Sequence, residues 1–327
     1  MKQQTNELLL KQIHEYIENL SYSREPLNLY KPIDYVLGVG GKRLRPILML
    51  LAYNLFKEDV SSIFSQAAAI ETYHNFTLLH DDLMDNADKR RGRPTVHKKW
   101  DNNTAILSGD AMLILSYKLM MNGCPHNYIS NVMDVFGQAA LEVCEGQQLD
   151  IDFENRMDVA VDEYLEMIRL KTSVLLAASL KIGAILGGAS EYDAQMLYDF
   201  GIKIGLAFQL QDDFLDVYGD SAVFGKNIGG DICSNKKTYM LITALNKAEG
   251  ADKENLERWI SLKDFDTEEK ISAVTEIYNN VGVPDICRSK IDELYNEGLE
   301  LLNKVSVEDS FKENLRMFAG TMMKRRL

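Results

Sequence analysis

Residues 62–85 read SIFSQAAAIETYHNFTLLHDDLMD, and this stretch decides the fold. Apolar and small side chains recur at helical spacing along it, and no proline interrupts them. That is the pattern of a long α-helix buried on most of its sides. The helix ends in carboxylates. Asp81 and Asp85 lie four apart and share one face, with Asp82 beside them around the turn. His74, seven residues before Asp81, falls in nearly the same register.

The pattern returns at 208–216, FQLQDDFLD. Gln209, Asp212, Asp213 and Asp216 follow i, i+3, i+4, i+7 spacing and form one polar stripe on an apolar helix. The echo implies two similar helices facing each other across a shared site. Carboxylates this close repel, so a cation is expected among them. Mg²⁺ suits them: it takes oxygen ligands and is usually held by one or two carboxylates plus substrate phosphates. Calcium suits them less, because no EF-hand-like loop appears.

Outward from these motifs, helical patterns cover 44–55, 104–121, 132–151, 164–187 and 193–218, while strand-like alternation is hard to find. No Pro-, Gly- or Ser-rich linker divides the chain. An all-α protein is therefore expected, a single domain over residues 1–327. Gly201 and Gly205, four apart on one helix, leave room for another helix to approach closely.

Composition narrows the function. Of the 327 residues, 46% are hydrophobic and 26% charged, enough to bury a core of good size. The formal net charge of −13 argues against nucleic-acid binding, which needs a broad basic surface. It permits anionic ligands wherever basic residues cluster locally. The four cysteines, Cys124, Cys144, Cys233 and Cys287, form no CxxC pair, which fits a reducing cytoplasm. Residues 1–10 are polar and lack a signal-peptide core, and the apolar stretches 44–56 and 173–188 are short for a bilayer. A cytoplasmic protein without stable membrane insertion is expected.

The basic clusters lie beside the acidic ones. Residues 40–46, GGKRLRP, open a helix, and Lys42 and Arg45 are spaced to share a face. Arginine grips a phosphate through two parallel hydrogen bonds, and lysine supplies a point charge. Arg90 and Arg91 follow the first aspartates closely; Lys171-Thr172 interrupts an apolar helix; Lys226, Lys236 and Lys237 flank the loop after the second aspartates. Carboxylates for metals, with cations for the remaining phosphate oxygens, are what a metal–phosphate site requires.

Taken in order, GGKRLRP (40–46), DDLMD (81–85), RRGRPTVH (90–97), GD (109–110), EGQ (145–147), KT (171–172), FQLQDDFLD (208–216), GKNIGGD (225–231) and the lysine pair 236–237 resemble the trans-isoprenyl diphosphate synthases, the polyprenyl synthetase family. The resemblance covers essentially the whole chain. It implies helices around a deep central cavity, and a homodimer. It implies two Mg²⁺ on Asp81 and Asp85 and a third on Asp212, with Asp216 in the same cluster and Asp82 among the catalytic residues. The allylic diphosphate would meet Arg90, Lys171 and Lys226, and Lys236 would also bind substrate. Isopentenyl diphosphate would rest on Lys42, Arg45, His74 and Arg91, while Thr172 and Gln209 would face the reacting carbons. Phe76, Thr77 and Tyr73, before Asp81, would floor the product cavity and stop the chain at 20 carbons, with 15 close. Two other readings stay open: a terpene cyclase, which typically alters the second aspartate motif, and a non-catalytic partner subunit, which usually loses ligands.

Overall fold

The computed structural model describes residues 4–20, 22, 24–219 and 228–323. The chain is 77% helical, and the all-α expectation holds. The departure is a minimal antiparallel hairpin, β1 (Lys89–Arg90) against β2 (Arg93–Pro94), in which Lys89 pairs with Pro94 and Arg90 with Arg93. Arg91 and Gly92 make its turn, both at positive φ (50° and 76°).

Contacts divide the chain into two compact units. The first comprises Met1–Gly137, Ala178–Leu197 and Val305–Leu315. It contains α1 (Asn6–Glu18), α2 (Leu27–Leu37), α3 (Leu44–Asn54), α4 (Phe64–Met84), α5 (Val96–Lys99) and α6 (Asn102–Met121). Helix α4 carries the opening stretch. It follows a 3₁₀ turn, Val60–Ile63, whose start is capped by Asp59 Oδ1 accepting from the Ser61 N–H at 3.1 Å. Ala67, Ala68, Ala69, Ile70 and Tyr73 are all essentially inaccessible. Small residues in consecutive positions let neighbours pack on several sides of the rod, and α6 is its most extensive partner. Each large aliphatic side chain buried this fully contributes about 1.5–3 kcal/mol.

The second unit comprises Gln138–Ala177, Tyr198–Lys304 and Arg316–Leu327. Helices α7 (Ile129–Glu154) and α10 (Glu191–Tyr218) contribute to it, as do α8 (Val161–Ile168) and α9 (Val174–Gly187). Helices α8 and α9 are joined without a break by a five-residue π turn, Arg169–Ser173. Beyond come α11 (Gly230–Cys233), α12 (Tyr239–Lys247), α13 (Gly250–Ser261), α14 (Thr267–Asn280), α15 (Val283–Asn303) and α16 (Asp309–Met323). Its core is built on Tyr164, Leu210, Phe214, Leu256, Val274, Tyr278 and Leu294.

Among the described residues two helices are long and apolar enough to cross a membrane: Asn102–Met121, with 39% of the window buried within the protein, and Val161–Gly187, with 78% buried. The second is longer than residues 173–188 alone suggested, because the π turn carries the helix on through Lys171.

Candidate active site

In the first unit, the loop before α3 is set by backbone conformation. Gly40, Gly41 and Arg43 have φ of 81°, 148° and 48°. Arg43 is the N-cap of α3, so Lys42 stands before the helix and shares no helical face with Arg45. That corrects the spacing argument from sequence: a left-handed residue between them breaks the periodicity. Arg43 itself is buried. Its guanidinium meets Glu71 Oε1 at 2.5 Å and donates to the Leu37 carbonyl at 2.9 Å. Asn75 Nδ2 donates to the same Glu71 oxygen at 3.1 Å. This buried pair fastens the glycine loop to α4. Sequence reading passed over both residues, for nothing in the pattern distinguishes Arg43 from its basic neighbours.

The hairpin brings Arg91 onto that loop, where its guanidinium donates to the Gly40 carbonyl. A Cβ on Gly41 would stand 2.6 Å from Arg91 Nη1, and the φ of 148° there favours glycine in its own right. Arg90 turns the other way and forks onto Asp82, Nε donating at 2.8 and 2.9 Å. Asp82 is therefore the inward member of its motif and holds Arg90. Asp81 and Asp85 remain in helical register, the Asp85 N–H donating to the Asp81 carbonyl at 2.8 Å.

Charge around His74 does not cancel. Burial, then Arg45, Arg91, Arg90 and Arg43, push its pKa well below the usual imidazole range, so it is neutral. Burial lowers Arg45 to about 10, Glu71 opposing, which leaves it charged at neutral pH. Arg91 is lowered for the same first reason. Glu71 balances Arg43 and Asp82 balances Arg90. Among the described residues Arg45 and Arg91 lack a comparable ion pair, and the buried Arg45 Nε has no hydrogen-bond partner. Four arginines thus gather around His74 inside an acidic protein, an arrangement that favours an anion.

Phe76 is 8% exposed, its ring 5.5 Å from Tyr73 and 4.8 Å from His80 by centroids. Tyr73 in turn meets Phe136 at 5.5 Å. The Thr77 hydroxyl donates to the His74 carbonyl at 2.8 Å.

In the second unit, the π turn presents Lys171 and Thr172. Turns of this kind are rare and recur at functional sites. Lys171 Nζ donates to Asp150 Oδ2 at 2.5 Å, and Thr172 Oγ1 donates to Gln209 Oε1 at 3.0 Å. Asp150 was not legible as a site residue; its one signal is the i, i+3 spacing from Gln147. Gln209 Nε2 donates to Asp213 Oδ1 at 3.0 Å, and the Tyr164 hydroxyl donates to Asp213 Oδ2. Asp213, like Asp82, is the inward member. Burial pushes it up to about 7, Lys236 opposing. Asp216 Oδ2 accepts from the Asp231 N–H at 2.9 Å and its carbonyl from the Gly229 N–H at 2.6 Å, which fastens the following loop. The Lys236 N–H donates to the Asp231 carbonyl at 3.0 Å. Lys226 lies outside the described residues.

The donors fit magnesium. Among the described residues no group of three or more His, Cys, Asp or Glu side chains could hold a metal by itself. Pairs of hard carboxylate oxygens that await phosphate and water to complete the shell are how Mg²⁺ is usually bound.

Paired carboxylates on α4 with clustered arginines in the same unit are what a prenyltransferase requires, and a prenyltransferase is what the chain is. The polyprenyl synthetase family model matches residues 26–278, and the chain belongs to that family. It is 36% identical over 323 residues to the short chain isoprenyl diphosphate synthase of Methanothermobacter thermautotrophicus, covering 98% of this chain and 96% of that one. It is also 36% identical over 330 residues to the geranylfarnesyl diphosphate synthase of Natronomonas pharaonis, covering 96% and 94%. A crystal structure of geranylgeranyl pyrophosphate synthase superposes with a TM-score of 0.95 at 41% identity, covering 99% of this chain and all of the other.

Proposed function

We propose that this protein condenses isopentenyl diphosphate head to tail with an allylic diphosphate, using Mg²⁺, to give an all-trans prenyl diphosphate of 20 carbons. The observation that carries the reading is the pair Arg45 and Arg91, which share Glu71 with Arg43, around a neutral His74. It receives the diphosphate of isopentenyl diphosphate with Lys42. The allylic diphosphate goes to Lys171, Arg90, Lys226 and Lys236. Asp81 and Asp85 would hold two Mg²⁺ and Asp212 a third, with Asp216 in support; bound there, the ions would draw charge from the allylic diphosphate. Lys171 and Arg90 stabilise the diphosphate as its C–O bond breaks. The double bond of isopentenyl diphosphate attacks the resulting cation, forming the new C–C bond, and the proton lost passes to the released pyrophosphate. Thr172 and Gln209, held to each other, face the reacting carbons.

Incubation of the protein alone with Mg²⁺, isopentenyl diphosphate and dimethylallyl diphosphate tests this. Elongated product is expected. Hydrocarbon with pyrophosphate would indicate a cyclase, and no turnover a partner subunit. Lys42→Ala and Arg45→Ala are expected to raise KM for isopentenyl diphosphate chiefly, and Lys171→Ala that for the allylic substrate, by ~10-fold or more, the scale of a lost charge-assisted bond. Equal effects on both substrates in every variant contradict two separate sites.

Phe76 sets the 20-carbon limit in this reading. It lies five residues before Asp81, about 7.5 Å along the axis. Phe76→Ala is expected to lengthen the products on chromatography after dephosphorylation, and an unchanged distribution removes Phe76 from the floor.

We infer a cytoplasmic homodimer. Leu107, Ile114 and Met121 recur every seven residues on α6 and are 59%, 63% and 44% exposed. A stripe of that kind calls for a cover, and a second copy fits the expected assembly. Ile114→Glu is expected to shift the mass from light scattering towards the monomer, and a monomeric wild type overturns the inference.

A further inference from the structure

We propose that Gly146 and Gly205 are positioning residues that hold the π turn open and so determine where the Lys171 ammonium and the Thr172 hydroxyl stand. The proposal rests on the reading of Lys171 and Thr172 as substrate contacts. A π turn carries one residue more than an α-turn and is wider, so its backbone bulges towards its neighbours. Two helices meet that bulge, each through a glycine. On α7, a Cβ at Gly146 would collide with the Lys171 amide nitrogen and stand 2.7 Å from Lys171 Cα and 2.8 Å from the Leu170 carbonyl carbon. These are main-chain atoms and cannot rotate aside. On α10, a Cβ at Gly205 would stand 2.6 Å from both Cα and Cβ of Ser173 and 2.7 Å from its Oγ. Ser173 is fully buried.

Each of these helices supplies a second contact four residues further on. Asp150 follows Gly146 and receives the Lys171 ammonium. Gln209 follows Gly205 and receives the Thr172 hydroxyl. Residues four apart share a helical face, so one face of each helix grips first the backbone of the turn and then the side chain it presents. Were the turn to relax into α-helix, everything beyond it would rotate by ~100° for the residue lost. Thr172 would then leave Gln209. Gly183 supplies the contrast. It lets α9 approach the Met49 carbonyl on α3 as closely, yet it touches neither Lys171 nor Thr172 nor the turn that presents them.

Gly146→Ala and Gly205→Ala, with Gly183→Ala as the control for packing, distinguish positioning from mere stability. Thermal unfolding is measured together with kcat and both KM values. The glycine variants at 146 and 205 are expected to lose ~10- to 10²-fold in kcat/KM for the allylic diphosphate, the scale of a small displacement of a reacting group. Gly183→Ala is expected to lower Tm with allylic kcat/KM kept. A folded Gly146→Ala with wild-type allylic kinetics overturns the proposal. If the variants fail to fold, amide hydrogen exchange on the unaltered protein decides. Slow exchange across residues 170–174 is expected for a clamped turn, and exchange as fast as a surface loop overturns it. Lys171→Ala separates the two ideas: unchanged allylic kinetics there discard the substrate reading, while exchange across the turn still judges the clamp.

Discussion

Asp81→Ala and Asp212→Ala are each expected to lower kcat by at least ~10²-fold, the cost of removing a preorganised electrostatic group from a site where charge develops. Both residues stand on helices whose neighbouring aspartate is already engaged: Asp82 by Arg90, Asp213 by Tyr164 and Gln209. The inward aspartates keep the motif in place, and in the proposed reading the outward ones meet the metal. The losses should ease as Mg²⁺ is raised if a weakened site is being refilled. Near-normal turnover by either variant in limiting Mg²⁺ would remove that residue from the metal site.

Glu71→Ala should act on stability. The Arg43 and Glu71 side chains are 1% and 4% exposed and 2.5 Å apart, and removal of one partner strands a buried charge. Losses of about 3–5 kcal/mol accompany such breaks, equivalent to a fall in Tm of roughly 5–10 °C. The double variant Arg43→Met/Glu71→Leu should recover most of that stability, since an apolar pair of similar volume replaces a buried ion pair at little cost. It should nevertheless bind isopentenyl diphosphate less well, because the glycine loop is no longer fastened to α4. Calorimetry and substrate-specific KM measurements check both parts. A double variant with wild-type KM would show that the pair only stabilises the fold.

The aspartate variants and the Arg43–Glu71 variants mark where sequence reading succeeds and where it stops. Long helices were legible because apolar periodicity is strong; the stretches 62–85 and 193–218 lie within a few residues of α4 and α10. The aspartate motifs were legible as motifs. Which aspartate turns inward was not, because adjacent carboxylates look alike until burial and partners separate them. The π turn was hidden because one extra residue barely disturbs a periodicity that is apolar all round. Lys42 was placed on a helix because no pattern announces that Arg43 will adopt φ of 48°. Asp150 and Tyr164 act through contacts distant in sequence, and such partners carry no local signature. Gly205 was the exception: its spacing from Gly201 pointed to close helix approach, and it meets Ser173.

Helix α4 carries both Asp81, at the end where the proposed bond breaks, and Phe76, where the proposed chain stops. The interval between them is a stretch of hydrogen-bonded backbone, so it works as a gauge cut from a single bar. Motion elsewhere in the molecule leaves the gauge unaltered, and its setting changes when a bulky side chain is exchanged for a small one along the bar. Relatives named for different product lengths can then share one scaffold, since a change of calibration needs no change of architecture.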